Sequence, residues 1–202
     1  STSASTAASS LLPPAAPWTG ASEQLVAAPN DPWITPAEKS DFQDSPDAAR
    51  TLGYLRAMDA KSDLLSLHTF GKSYQGRELV YVLAKKPGAG KPVVMIQAGI
   101  HAGEIDGKDA GLMLLRDIAF HGRDDLLHRV DIVFIPILNV DAHENASPFG
   151  RPNMRGLRTK GARTNAQGLD LNRDYARLQS PEIAAVVALL QRFDPALYID
   201  VH

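Results

Sequence analysis

The chain contains no cysteine among its 202 residues. That excludes a disulfide framework, a thiolate-ligated metal and a thiol nucleophile, and leaves the redox compartment open. No apolar run approaches the ~20 residues that a membrane-spanning helix requires. An excess of charge of one sign is lacking too: Lys and Arg total 21 against 23 Asp and Glu, a formal net charge of -2. Such a balance gives no global electrostatic reason to bind nucleic acid or an anionic membrane. Hydrophobic residues at 44% and charged residues at 22% lie near globular averages, which excludes global disorder. The length fits one ordinary domain, with or without a tail.

No initiator Met opens the chain, and its first charged residue is Glu23. Residues 1–20 are mostly Ser, Thr, Ala and Pro, too little apolar area to offset the entropy of ordering them. A frayed tail is expected there, with Leu11, Leu12 and Trp18 as the only candidates for surface docking. This composition suits a linker or a mature N-terminus left after signal cleavage, although neither an n-region nor an h-region is visible. The expected location is secreted or periplasmic. Residues 1–44 read as a low-complexity, extended segment and residues 45–202 as an incomplete α/β domain. The incompleteness is an expectation drawn from the last residues, Ala196-Leu197-Tyr198-Ile199-Asp200-Val201-His202. They read as a buried strand running into an abrupt stop, so further chain is expected in the natural protein.

Between the ends, helical and extended patterns alternate. Ser45 and Pro46 signal a helix start, with Ser as N-cap and Pro in the first turn. Ala48, Leu52, Leu55 and Met58 follow at helical spacing. Strands are predicted at 64–70 and 79–84, flanking a polar turn at 71–77, and at 92–97, 131–138 and 197–201. Helices are predicted at 108–120, with Leu112, Leu115, Ile118 and Ala119 on one face, and from Ser180-Pro181-Glu182 onward. The alternation predicts an α/β fold: a mixed, centrally parallel twisted sheet flanked by helices. Residues 139–170 form a long polar stretch, and a loop of that length in a compact domain is usually functional or disordered.

Ligands in open α/β sheets gather where strands end. The 92–97 strand runs into Gly99-Ile100-His101-Ala102-Gly103-Glu104. His101 and Glu104 can converge on one point because the flanking glycines allow tight turns. An imidazole and a carboxylate are a common zinc pair, and a catalytic zinc needs three protein ligands with one position open. H-x-x-E alone is a weak signal, and a loop histidine beside a solvated glutamate is the plainer reading. Its position after a core strand favours the metal. Among the other histidines, His121 and His128 read as surface residues and His68 as a packed or edge residue. His143 is a candidate third ligand, and His202, at a strand end, is the better one.

The long loop leads into Gly168-Leu169-Asp170-Leu171-Asn172-Arg173-Asp174-Tyr175. Between Ala146 and Arg177 there are seven basic residues and two aspartates, net +5. Arginine forks bind carboxylates bidentately, and a single-sign cluster beside a metal suits an anionic substrate group or a developing oxyanion. Most of these arginines read as solvated. A nucleic-acid-binding loop is disfavoured because aromatic stacking residues are sparse there.

Taken together, His101-x-x-Glu104, the run from Leu169 to Tyr175 and the strand-end His202 resemble the M14 zinc carboxypeptidases, also called metallocarboxypeptidases or funnelins. Gly71-Lys72-Ser73-Tyr74-Gln75-Gly76-Arg77 is similar to that family's G-x-S-x-x-G-R turn. The resemblance runs from about Leu64 to His202. It implies that His101, Glu104 and His202 bind Zn²⁺, and that Asp170 hydrogen-bonds His101. Asn172 and Arg173 would bind the free carboxylate of a peptide or small amide substrate. A further arginine would polarise the scissile carbonyl; Arg163 is assigned to it, with Arg155 and Arg158 as rivals. Asn139-Val140-Asp141-Ala142 departs from the family's Asn-Pro-Asp-Gly turn, and the turn is expected to survive. The family's catalytic Glu and substrate-covering Tyr come from chain after the third ligand. Glu144 and Glu182 match neither position, and Glu182 reads as a first-turn acid favoured by the helix dipole.

The resulting expectation is a zinc-dependent hydrolase that releases C-terminal residues from peptides. It needs a C-terminal segment of the same protein for its general base, and it has no nucleic-acid or membrane partner. Two alternatives are a zinc amide or ester deacylase of similar fold and a catalytically inactive carboxylate-binding module. A Glu in the continuation would separate the enzyme from the binding module.

Overall fold

The computed structural model describes residues 17, 19–154 and 156–202. The tail expected over residues 1–20, with Leu11, Leu12 and Trp18, therefore lies almost wholly outside the described residues, as does Arg155. Five strands form one sheet: β1 (Leu65–Lys72), β2 (Glu78–Ala84), β3 (Val93–Ala98), β4 (Asp131–Ile135) and β5 (Leu197–Val201). Their order is β1-β2-β4-β3-β5. β1, β2 and β4 pair antiparallel, whereas β4, β3 and β5 run parallel. The expected mixed, centrally parallel sheet is thus the fold.

Five α-helices accompany it among the described residues: α1 (Pro36–Lys39), α2 (Ala48–Asp59), α3 (Asp106–Phe120), α4 (Val140–Glu144) and α5 (Pro181–Phe193). Alternation along the central strands feeds two cores, one on each face. Ile132 and Phe134 of β4 join Leu55 and Met58 of α2 and Leu112, Leu115 and Ile118 of α3. Val133 and Ile135 turn to the opposite face, with Met95 and with Ile183, Val186 and Leu189 of α5. Gly111 lets α3 approach the sheet closely, since a Cβ there would fall 2.0 Å from Phe134 Cζ. Among the described residues, no helix is long and apolar enough to cross a membrane.

Ser180 caps α5 as expected, accepting the Ile183 amide. Ser45 does not cap α2; Asp47 does, accepting the Arg50 amide at 2.7 Å, because a carboxylate two residues nearer the helix competes better for it. The strand expected to reach residue 138 stops at Ile135. Pro136 has no amide to donate, and the chain crosses to β3, where the Leu138 and Asn139 amides donate to the Ala98 and Gly99 carbonyls. β5, expected to be buried, lies at the sheet edge, with Leu197 51% and Ile199 38% exposed.

The division expected between residues 44 and 45 coincides with no gap in packing. Ile34, Thr35, Ala37 and Glu38 are buried. Thr35 and Glu38 form a capping box at α1. The Glu38 carboxylate also takes the guanidinium of Arg116 from α3, with both side chains at 0% exposure. Burial raises the pKa of Glu38, but hydrogen bonds from Arg116, Ala27 and Thr35 outweigh it and hold the carboxyl below its usual range.

The turn at 71–77 is clamped from two sides. Asp141 of α4 accepts the Ser73 hydroxyl, the Gln75 amide and the Arg77 guanidinium. Glu182 of α5 accepts the Tyr74 amide and the Asn165 side-chain amide. Both carboxylates are buried, so Glu182 is more than a first-turn acid. The Asn139-Val140-Asp141-Ala142 turn survives as the start of α4, with Asn139 as its N-cap.

Candidate metal centre

Two parallel neighbours, β3 and β5, end at the same level, with Ala98 registered against Val201. The residues just past the two strand ends must therefore meet at the carboxyl edge of the sheet. After β3, Gly99 adopts φ +69° and turns the chain tightly against Ile137. That turn brings His101 and Glu104 over the edge, and His202 arrives directly from β5. Nδ1 of His101 and Nδ1 of His202 each lie 3.0 Å from Oε2 of Glu104 and 3.3 Å from one another.

These three atoms fit a metal. Bonds of about 2.0–2.1 Å to a tetrahedral zinc imply ligand–ligand separations near ~3.3 Å, close to those observed. Two imidazoles and one carboxylate form a donor set that catalytic zinc sites use, and they leave a fourth position free. This is the group of ligating side chains, among the described residues, whose atoms converge closely enough to hold an ion.

Surrounding groups fix each of these three side chains from behind. Oδ1 of Asp170 lies 3.1 Å from Nε2 of His101, which leaves Nδ1 facing the other ligands. Oδ2 of Asp200 lies 3.2 Å from Nε2 of His202, in the same relation. Glu104 Oε1 accepts from Arg151 at 2.8 Å. Burial pushes Glu104 up, yet hydrogen bonds from His101, His202 and Arg151 hold it below the usual carboxylate range. Asp170 behaves alike: burial raises it, and His101, Arg163 and the Asn172 amide bring it down further.

Asp170 gathers the remaining expected residues. Its Oδ2 accepts from Nε of Arg163 at 2.9 Å, and its Oδ1 accepts the Asn172 amide at 3.0 Å. Asn172 and Arg173 lie on the short 3-10 turn Leu171–Arg173, where Asp170 is the N-cap. Arg173 is exposed, and its guanidinium rests on the Asn172 carbonyl. Arg158, a rival for the role assigned to Arg163, pairs instead with Asp44 away from this edge.

The remaining histidines lie elsewhere. His143 is buried against Lys108 and Glu144. His68 stacks on Tyr81, and His121 pairs with Asp31 and Asp117. His128 meets Lys86. Sequence reasoning missed Arg151 and Asp200. Asp200 carried a usable signal, since residues i and i+2 on a strand share a face. Arg151 carried none beyond membership of the basic loop.

The protein is thus an α/β protein with an open, centrally parallel sheet, and at the carboxyl edge of that sheet two histidines and one glutamate form a group that could hold a metal ion. The profile of the zinc carboxypeptidase family, Peptidase_M14, matches residues 51–202, and the chain belongs to that family. Carboxypeptidase D of Drosophila melanogaster is 32% identical over 154 residues, covering 66% of this chain and 10% of that protein. The carboxypeptidase N catalytic chain of Mus musculus is 33% identical over 129 residues, covering 58% of this chain and 27% of that protein. The crystal structure of a metallo-carboxypeptidase from Burkholderia cenocepacia superposes with TM-score 0.63 at 24% identity, covering 76% of this chain and 40% of that one. The chain thus spans well under half the length of these relatives. Zinc enzymes characterise the family.

Proposed function

We propose that the whole protein is a zinc-dependent metallocarboxypeptidase that releases C-terminal residues from peptides. The observation that carries this reading is the convergence of His101, Glu104 and His202 beside an Asp170 that also holds Arg163 and the Asn172-Arg173 turn. When bound, zinc polarises the scissile carbonyl and lowers the pKa of a coordinated water to near ~7. His101, Glu104 and His202 would hold it.

The chain's other residues supply binding and charge. Asn172 and Arg173 receive the free carboxylate of the substrate, the fork of Arg173 selecting a planar anion over a carbonyl. Arg163 is held by Asp170 through Nε alone, which leaves its Nη groups to stabilise charge developing on the carbonyl oxygen. Asp170 sets the His101 tautomer, as carboxylates behind metal-bound imidazoles do. Membership of the family implies a catalytic Glu from chain after the third ligand, and Glu144 and Glu182 are committed to other partners; we therefore assign the general base to chain beyond His202 in the whole protein. The Ser/Thr/Ala/Pro-rich first twenty residues support a secreted or periplasmic location.

Metal analysis of the purified chain should give about one zinc per chain, lost in His101→Ala and Glu104→Ala. In the whole protein, a C-terminally amidated peptide should be cleaved far more slowly than its free acid. Equal rates would remove the carboxypeptidase reading and favour an endopeptidase or a deacylase.

A further inference from the structure

Gln97 is fully buried near the end of β3, in register with Asp200 on β5. In-register residues of neighbouring parallel strands point to one face of the sheet, and here their side chains meet. Nε2 of Gln97 donates to Oδ1 of Asp200 at 3.0 Å and to the Tyr175 hydroxyl at 3.1 Å. The other Asp200 oxygen, Oδ2, lies 3.2 Å from Nε2 of His202. We infer that Gln97 is a positioning residue, holding the Asp200 carboxylate so that Oδ2 orients the His202 ring. This inference rests on the proposed metal centre and deepens it.

A carboxylate only accepts, so the amide nitrogen of Gln97, not its oxygen, must face Asp200. Both of its N–H groups are then used, one on Asp200 and one on Tyr175. That leaves the Tyr175 proton for the Tyr198 oxygen, 2.8 Å away. Burial raises both phenols above their usual range, so each keeps its proton. Tyr198 and Asp200, two residues apart, share a face of β5. Tyr175 follows Asp174, whose carboxylate takes the Gln179 and Ser180 amides and fixes the chain there. The amide is thus anchored through Tyr175 to the run that carries Asp170, Asn172 and Arg173.

The arrangement serves orientation rather than packing. Oε1 of Gln97 is buried with no partner among the described residues, and an unpaired buried acceptor costs stability. An apolar side chain of similar shape would avoid that cost. Among the described residues β5 pairs only with β3, at the sheet edge. The Asp200 and His202 side chains are 20% and 41% exposed, so water competes for both. With Oδ1 tied to Gln97, Oδ2 stays in place to accept from Nε2–H. Nδ1 is then kept unprotonated toward Glu104 and His101. His101 obtains the same definition from Asp170.

The test uses the whole protein, metal-free and with nitrogen-15-labelled histidines. Long-range proton–nitrogen spectra report which ring nitrogen carries the proton. Wild-type His202 should be a single Nε2–H tautomer. Gln97→Met removes the amide at nearly constant shape, and His202 should then become a mixture of tautomers. Zinc affinity, read by chelator competition, should fall about tenfold, the low end of the range for lost outer partners of metal ligands. Asp200→Ala should lose more, and adding Gln97→Met to it should cost nothing further, because Gln97 acts through Asp200. A merely structural Gln97 would give additive losses, and that result would overturn the inference. So would a tautomer mixture already present in the wild type. A Gln97→Met protein that keeps the single tautomer, or binds zinc within about twofold of wild type, would overturn it as well. If the tautomer depends on Gln97 but the wild type binds no zinc, the metal reading falls and the orientation of His202 by Gln97 stands. Should Gln97→Met fail to fold, a crystal structure of the metal-free wild type decides. The Gln97 amide nitrogen on Asp200 supports the inference, and an amide turned away overturns it.

Discussion

Asp170 divides its carboxylate between His101 and Arg163, one oxygen to each, at 3.1 and 2.9 Å. A single side chain thereby couples a proposed metal ligand to the arginine proposed to face the carbonyl. Asp170→Ala should lower zinc affinity about 10- to 100-fold, the range for lost partners of metal-bound histidines. Asp170→Asn should lose less, because its carbonyl oxygen can still accept from Nε2–H. Chelator competition on the three chains reads the order directly, and equal affinities would show that Asp170 does not orient His101.

Arg173 stands exposed on the turn that Asp170 caps. Arg173→Lys should raise KM for a peptide with a free C-terminus in the whole protein, with a smaller effect on an amidated one. A point charge cannot reproduce a two-pronged guanidinium–carboxylate contact. A loss identical for the two substrates would place Arg173 outside the carboxylate site.

Glu38 and Arg116 pair with no solvent exposure, and the Glu38 carboxylate also accepts the Ala27 and Thr35 amides. Glu38→Ala leaves a buried guanidinium short of its partner, which typically costs about 3–5 kcal/mol. Urea denaturation should show the midpoint falling accordingly. An unchanged midpoint would mean that residues 27–38 contribute little to holding α3. The folded-state pKa of Glu38 is depressed, so its contribution is present above its unfolded pKa near 4.5. It is lost as pH falls through the folded value.

Lys108 is buried on α3, where its ammonium donates to the Pro46 carbonyl and to His143. His143 passes its other ring nitrogen to Glu144 at 3.1 Å, so Nε2 is the acceptor toward Lys108 when the imidazole is neutral. Burial lowers the lysine to about 8 from 10.5, against the opposing pull of Asp109 and Glu144. Below about 8 both folded and unfolded chains carry the proton, and burial of the charge costs stability. From about 8 to 10.5 the unfolded chain binds more protons, so stability rises with pH by up to about 3 kcal/mol. Lys108→Met should lack that rise. Tyrosine ionisation is common to both chains, so the difference between their urea midpoints, measured from about pH 7.5 to about pH 10, isolates the effect. A constant difference would sink the assignment.

Local chemistry made much of the architecture legible. Apolar, often β-branched runs marked β1 through β5, helical spacing marked α2, α3 and α5, and Ser180-Pro181 marked a helix start. Each signal depends on neighbours within a few residues. His101 and Glu104 were legible for the same reason, lying just past a core strand with glycines around them. His202 and the Asp170-Asn172-Arg173 run entered through their order along the chain and its resemblance to a family.

The pairings between distant residues were decided by tertiary structure. His202 meets His101 because β3 and β5 are parallel neighbours in register, and no local pattern states which strands will be adjacent. The same holds for Glu38 with Arg116, Glu182 with Tyr74 and Arg151 with Glu104. A charge advertises its sign in a sequence but not its partner. Burying it is tolerable only where the fold brings a counter-charge, and that meeting is settled by sheet order and close glycine contacts. By itself the sequence offered candidate metal and carboxylate ligands, with His143 and His202 both open as the third; the packed sheet decided which of those side chains face one another, bringing His202 to His101 and Glu104 and burying His143 elsewhere.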